Sequence, residues 1–207
     1  MVNVREELRL WREEPLKAVA AEARLLRWRR RRQFASFGDG SIVHRPLWLY
    51  GTRHAAIGSW CLVMHGAWLS VERPAWEADE PALCIGDRVT LRPFVTLSAT
   101  VSVVIEDGVS IGTGSGVYDS NHVVSTSGRS ILDGKEAAAS PIRIGAGSWI
   151  GDRVTVLSGA NIGRACTIGA GAVVRGTIPD YAIAVGVPAR VVGTNAPDEG
   201  QSTSGAT

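Results

Sequence analysis

The 207-residue chain reads as a mainly β protein, a parallel β-helix of about six coils with an N-terminal α-helical segment and one long loop. Two patterns predict this. Between Ile144 and Val174 an apolar residue recurs every six positions, at Ile144, Ile150, Val156, Ile162, Ile168 and Val174. Gly145, Gly151, Gly163 and Gly169 follow directly, and Ser148, Val154, Ala160, Cys166 and Ala172 stand four places on. A period of six is not that of an amphipathic helix, and it matches strand alternation only by accident. It suits a chain whose six-residue units each form one side of a triangular coil, with the apolar residue pointing inward.

The second pattern is the same period traced toward the N-terminus. Phe37, Val43 and Leu49 form one trio, and Ile57, Val63 and Leu69 the next. Ile85, Leu91 and Leu97, then Ile105, Ile111 and Val117, complete the set before the long loop. Two extra residues separate the first trio from the second and the third from the fourth. Ten are inserted across the Pro-rich, acidic run Glu72 to Pro81, and 21 between Val117 and Ile144. Such coils bury their apolar column only when stacked, so both ends need covers.

The first cover lies N-terminal. Residues 4–33 are rich in Glu, Leu, Ala and Arg without glycine, and Pro15 divides them into two helices. Leu16, Val19, Ala23, Leu26 and Arg30 share a face of the second, and Arg24, Arg27, Arg29, Arg30, Arg31 and Arg32 make it basic. It either packs on the main domain or a neighbouring subunit with its arginines solvated, or makes weak contact with an anionic membrane surface through Trp11 and Trp28. At the other end, residues 178–192, with Pro179 and Gly186-Val187-Pro188, form a closing strand or corner. The expected organisation is therefore a basic helical segment at 1–35, the β-helix at 36–193 and a disordered tail at 194–207.

Composition narrows the function classes. A net charge of +2 gives no global field for nucleic acid. Cys61, Cys84 and Cys166, odd in number and irregularly spaced, suit reduced thiols, with Cys166 read as packing. No apolar run reaches membrane-span length and the N-terminus lacks a signal-peptide core, so a cytoplasmic location is expected.

Asp119-Ser-Asn-His122 at the mouth of the long insertion, Pro141-Ile-Arg-Ile-Gly145, Ser148-Trp149-Ile150-Gly151, Ile168-Gly-Ala-Gly171 and Ala184-Val-Gly-Val-Pro-Ala-Arg190 together resemble hexapeptide-repeat acyltransferases. The first segment is similar to the Asp-x-Asn-His signature of their sugar O-acetyltransferase branch, which includes the maltose and galactoside acetyltransferases. The resemblance runs from about Val103 to Gly193. It implies a left-handed parallel β-helix, a homotrimer with sites between subunits, acetyl-CoA as donor and a sugar or glycan as acceptor.

Acyl transfer from a thioester to a hydroxyl needs a base for the proton and a donor for the oxyanion. Histidine is the natural base. His44, His54 and His65 fall in the early coils, whereas His122 opens the long insertion, where position and signature agree on a catalytic role. Asp119 either orients the imidazole or binds acceptor hydroxyls, or with Asn121 builds the turn. By resemblance, the backbone N–H of Asp152, after Gly151, receives the thioester oxygen. Trp149 flanks the thioester or covers the coil edge, Ala170 and Arg175 line the CoA groove, and Arg190 meets the nucleotide phosphates. Gly176 and Gly193 stand where the family often has basic residues. No Cys or Ser occupies a nucleophile position, so direct attack in a ternary complex without metal is expected.

Three other readings compete. A zinc hydrolyase on the same repeat needs three converging histidines, and the loop offers only His122. A noncatalytic scaffold would not need the Asp119 to His122 segment. Within the enzyme class, acylation of an amino sugar or another small amine needs the same base.

Overall fold

A computed structural model describes residues 31–72, 80–121 and 138–197. The protein is mainly β, built of parallel sheets with almost no helix among these residues. The first coil comprises β1 (Ser36–Phe37), β2 (Ile42–Val43) and β3 (Trp48–Tyr50). The second is β4 (Ala55–Ile57), β5 (Leu62–Val63) and β6 (Trp68–Val71), and the third β7 (Leu83–Ile85), β8 (Thr90–Leu91) and β9 (Thr96–Ala99). The fourth is β10 (Val103–Ile105), β11 (Ser110–Ile111) and β12 (Gly116–Tyr118). β13 (Ser120–Asn121) and β14 (Ala138–Ala139) then leave the winding as an antiparallel pair. β15 (Ile142–Ile144), β16 (Trp149–Ile150) and β17 (Thr155–Val156) resume it, followed by β18 (Asn161–Ile162), β19 (Thr167–Ile168) and β20 (Val173–Val174). β21 (Thr177–Ile178) and β22 (Ala182–Val185) start a further circuit, and β23 (Arg190–Thr194) folds back on β22.

The chain visits three sheets in rotation. The first is β1-β4-β7-β10-β15-β18-β21, the second β2-β5-β8-β11-β16-β19-β22-β23 and the third β20-β17-β12-β9-β6-β3. The six-residue period becomes the register of this stack. In the first sheet Phe37, Ile57, Ile85, Ile105, Ile144, Ile162 and Ile178 lie on one row. Val43, Val63, Leu91, Ile111, Ile150, Ile168 and Ala184 form the second row, and Leu49, Leu69, Leu97, Val117, Val156 and Val174 the third. All but Leu49 are buried, and each large side chain contributes about 1.5–3 kcal/mol of transfer free energy.

The glycine after the apolar residue has a steric cause. A Cβ at Gly163 would stand 2.5 Å from both the backbone nitrogen and Oδ1 of Asp180 in the next coil. That contact is one of a series. Asp87 Oδ1 accepts the Ser59 N–H at 2.7 Å, Asp107 Oδ1 that of Asp87 at 2.8 Å, Asp152 Oδ1 that of Thr113 at 2.7 Å and Asp180 Oδ1 that of Arg164 at 3.0 Å. Each aspartate caps a corner N–H one coil earlier, over the glycine that makes room for it.

Serine and cysteine at the small-residue positions also join coils. Ser148 Oγ donates to the Gly163 carbonyl at 2.8 Å and accepts the Cys166 N–H at 3.0 Å, and Ser115 bridges Gly151 and Val154 in the same way. Cys166 Sγ donates to the Pro179 carbonyl at 3.0 Å. Burial raises the thiols of Cys61, Cys84 and Cys166 above their ordinary value of 9.0. Cys61 and Cys166 are therefore protonated packing groups at neutral pH.

The expected N-terminal helices fall almost wholly outside the described residues. At the other end the boundary moves. Thr194 is the last residue of β23, and Asn195 Nδ2 donates to Ala165 O and Thr167 Oγ1 at 3.1 and 2.8 Å. The tail expected to begin at 194 is thus tied to the closing ladder through its first residues, because the returning strand supplies the backbone partners of β22. Residues 198–207 lie outside the description. No helix among the described residues is long and apolar enough to cross a membrane.

Candidate functional site

The long insertion leaves the stack through a clamp. Ser120 pairs with Ala139 and Asn121 with Ala138, so the chain departs after Asn121 and returns at Ala138 on adjacent strands. His122 and the remainder of the insertion to residue 137 lie outside the described residues. Asp119, immediately before the clamp, is fully buried. Its Oδ1 accepts the Thr100 N–H at 2.8 Å, and its Oδ2 accepts those of Val101 and Ser102 at 2.7 and 2.9 Å. Those three amides belong to the corner between β9 and β10, where two extra residues take the backbone out of ladder register. The carboxylate supplies the acceptors the corner lacks, and thereby fixes the root of the insertion to the preceding coil.

Two serines complete the clamp, and the six-residue pattern gave no signal for them. Ser158 Oγ donates to the Asp119 carbonyl at 2.7 Å and accepts the Ser140 N–H at 2.9 Å. Ser140 N–H also donates to the Asp119 carbonyl at 2.9 Å. Both serines flank strands whose apolar residues are plain in the sequence, but bonds across coils leave no trace in spacing.

A second group gathers at the corner after β16. Trp149 points outward from the second sheet and is half exposed. Gly151 is held against the next coil, since a Cβ there would stand 2.7 Å from the Ala170 nitrogen. Asp152 uses its carboxylate on Thr113, which leaves its own N–H to be capped from the following coil. The residue in that place is Ala170, which has no acceptor. Among the described residues the Asp152 N–H consequently has no hydrogen-bond partner. Ala170 is exposed on the same corner one coil on, whereas the exposed side chains of Arg190, at the start of β23, and Arg175, after β20, are not part of this corner. Arg190 Nη1 donates to its neighbour's carbonyl, that of Ala189, at 2.9 Å.

The structure therefore brings Trp149, Gly151, Asp152 and Ala170 together, and separately Asp119 with Asn121. It does not bring the two groups together within one chain. They sit on opposite edges of the third sheet, a separation of about 15–20 Å for the six residues between them. Two concavities lie elsewhere, one of about 560 Å³ lined by Tyr50, Arg53 and His54 and one of about 410 Å³ lined by Cys84, Glu106 and Asp107. Neither contains a residue of the two groups. Among the described residues no three His, Cys, Asp or Glu side chains converge as metal ligands.

Residues 141–176 match the bacterial transferase hexapeptide (six repeats) family model. A probable acetyltransferase of Mycobacterium tuberculosis is 39% identical over 128 residues, which cover 61% of this chain and 42% of that protein. WbbJ of Escherichia coli, named for lipopolysaccharide biosynthesis O-acetyl transfer, is 32% identical over 112 residues, 51% of this chain and 57% of that one. The chain thus spans about half the length of these curated relatives. Among solved structures, a mutant of AntD, an N-acyltransferase from Bacillus cereus in complex with dTDP and coenzyme A, matches with a TM-score of 0.69 at 18% identity over 82% of this chain and 89% of its own. The hexapeptide-repeat acetyltransferase VCA0836 of Vibrio cholerae matches with a TM-score of 0.58 at 20% identity, over 89% of this chain and 95% of its own. The likeness to these two is one of fold.

Proposed function

We propose that the protein is an acetyl-CoA-dependent acyltransferase that moves an acetyl group to a hydroxyl of a sugar or glycan. The uncapped Asp152 N–H carries this reading. In a stack where corner amides are repeatedly capped by aspartate, an alanine leaves this donor open beside an exposed tryptophan. Named acetyltransferases among the relatives, and coenzyme A in the complexes of structural neighbours, support the donor class. An open amide is what a thioester carbonyl needs as negative charge builds on its oxygen.

In this mechanism His122 takes the acceptor's hydroxyl proton, and the freed oxygen attacks the thioester carbonyl directly. The Asp152 N–H holds the resulting oxyanion. Collapse breaks the carbon–sulfur bond, and the protonated imidazole returns its proton to the leaving thiolate. Asp119, with its carboxylate engaged by three amides, acts as a positioning residue for the loop root, and Asn121 does so through the β13–β14 pair. Trp149 flanks the acyl group, Ala170 and Arg175 line the donor groove, and Arg190 meets the nucleotide phosphates.

The separation of the two corners favours a homotrimer of left-handed β-helices in which one copy supplies the loop and its neighbour the Asp152 corner. A cytoplasmic enzyme whose basic N-terminal helix rests on the domain or touches an anionic membrane is the accompanying reading. A second acceptor class has its own support, because structural neighbours are N-acyltransferases solved with amino-sugar nucleotides. An amine would use the same base.

The test is an acceptor screen that follows release of free CoA, with sugars and amino sugars in parallel. His122→Ala is expected to lower turnover by about 10²–10⁴-fold while acetyl-CoA still binds. Wild-type turnover in that variant would remove His122 as the base.

A further inference from the structure

The outer face of the third sheet carries an aromatic arrangement to which the mechanism above assigns no role. Leu69, Leu97 and Val117 point into the coil, so their neighbours Trp68, Ser70, Thr96, Ser98, Gly116 and Tyr118 point out. Trp68 stacks on Trp48 with ring centroids 5.3 Å apart and planes inclined by 21°. Its other side turns toward Thr96, the next residue along the row. Beyond Thr96 lies Gly116, whose glycine has a specific cause. A Cβ there would stand 2.4 to 2.6 Å from Cε2, Oη and Cζ of Tyr118, so the phenol occupies the space where a side chain would be.

The result is a slot one strand wide. The Trp68 indole and the Tyr118 phenol stand two strand spacings apart, about 9–10 Å, with Thr96 and Ser98 as the floor. Two aromatic surfaces need about 3.5–4 Å each to contact a ring between them, so one saturated six-membered ring fits. The walls remain open to solvent, with Trp68 39% and Tyr118 36% exposed. The hydroxyls of Thr96, Ser98 and Tyr118 have no hydrogen-bond partner among the described residues. Apolar faces at the sides and hydroxyls below match a pyranose, which presents C–H groups on its faces and hydroxyls at its rim.

We propose that this slot is the acceptor subsite and that it takes an uncharged pyranose ring rather than the diphosphate of a nucleotide sugar. Two observations select that occupant. The outward residues of the slot include no charged side chain, and a diphosphate would be desolvated there without a cation. Tyr118 also directly precedes Asp119 and the root of the insertion, and a ring on the Gly116 row lies about 10 Å along the strand from that root. The proposal rests on the transferase reading for its role, but not for its test.

Binding of methyl glucoside, methyl galactoside and the methyl glycoside of N-acetylglucosamine is measured by calorimetry and saturation-transfer NMR on the full chain without acetyl-CoA. At least one should bind. Thr96→Trp, which fills the slot from the solvent side without touching the core, and Trp68→Ala, which removes a wall, should each weaken that binding about tenfold or more. Both variants should stay folded and keep the wild-type affinity for acetyl-CoA, with Trp68→Ala melting lower because it loses the stack on Trp48. Absence of binding by all three pyranosides, equal binding by the two variants, or uridine diphosphate glucose bound about tenfold tighter than methyl glucoside would each overturn the proposal. These titrations need neither donor nor turnover. The transferase reading fails separately, when acetyl-CoA itself is not bound.

Discussion

Asp152 plays two parts at one position. Its carboxylate closes the corner at Thr113, while its N–H waits for a cap that the next coil does not supply. Ala170→Asp should supply it, because Gly151 beneath provides the same room that Gly112 gives the Asp152 carboxylate. The variant is expected to lower acetyl transfer by about 10²–10³-fold, the usual cost of losing one oxyanion donor. Its melting temperature should stay level or rise, since a corner gains a hydrogen bond. Normal transfer by a stably folded Ala170→Asp would show that this amide does not serve the reaction. The capping series was not legible in the sequence, although its aspartates all stand two places after an apolar repeat residue. Aspartate in a turn usually bonds its own backbone, and only the stacking shows that these reach back one coil. Asp119 illustrates the same limit: sequence left orientation and turn building open, and the three amides of residues 100–102 are gathered only by the fold.

In the proposed mechanism the insertion supplies the base, and its root makes it separable from the stack. Asn121 and Ala138 face each other across an antiparallel pair, a Cα separation of about 4.5–5.5 Å that a two-residue turn can bridge. Replacing residues 122–137 by Asn-Gly should therefore leave a folded protein with an unchanged melting profile. The Asp119, Ser140 and Ser158 bonds remain in that variant, so the corner stays satisfied. Acetyl-CoA binding is expected to persist and transfer to vanish, measured by calorimetry and CoA release on the same preparation. Loss of folding would mean that the insertion supports the stack. At this scale the sequence was most informative, because departures from a period of six mark the wider corners and both insertions. The returning strand β23 was less visible, since its residues are all exposed and carry no periodic signal.

For the whole molecule, the ladder rows are legible in the sequence because the repeat residues are the register. What spacing could not show is which corners of the prism meet. The loop root and the open Asp152 amide lie on different edges of the third sheet, too far apart to act on one acyl group without a second copy or a long reach by the insertion. A site shared between copies has a consequence that a single-chain site lacks. His122→Ala and Ala170→Asp each disable one half, and each leaves the other half intact. Mixed after denaturation and refolding in equal amounts, they should form trimers in which about one interface in four pairs an intact loop with an intact amide. The mixture should then regain about a quarter of wild-type turnover, whereas each variant refolded alone should not. If the insertion instead folds back over its own chain, every site in the mixture carries one lesion and turnover stays at the level of the separate variants. The comparison thus decides between a shared and an internal site by activity alone, with subunit number checked by light scattering on the same samples.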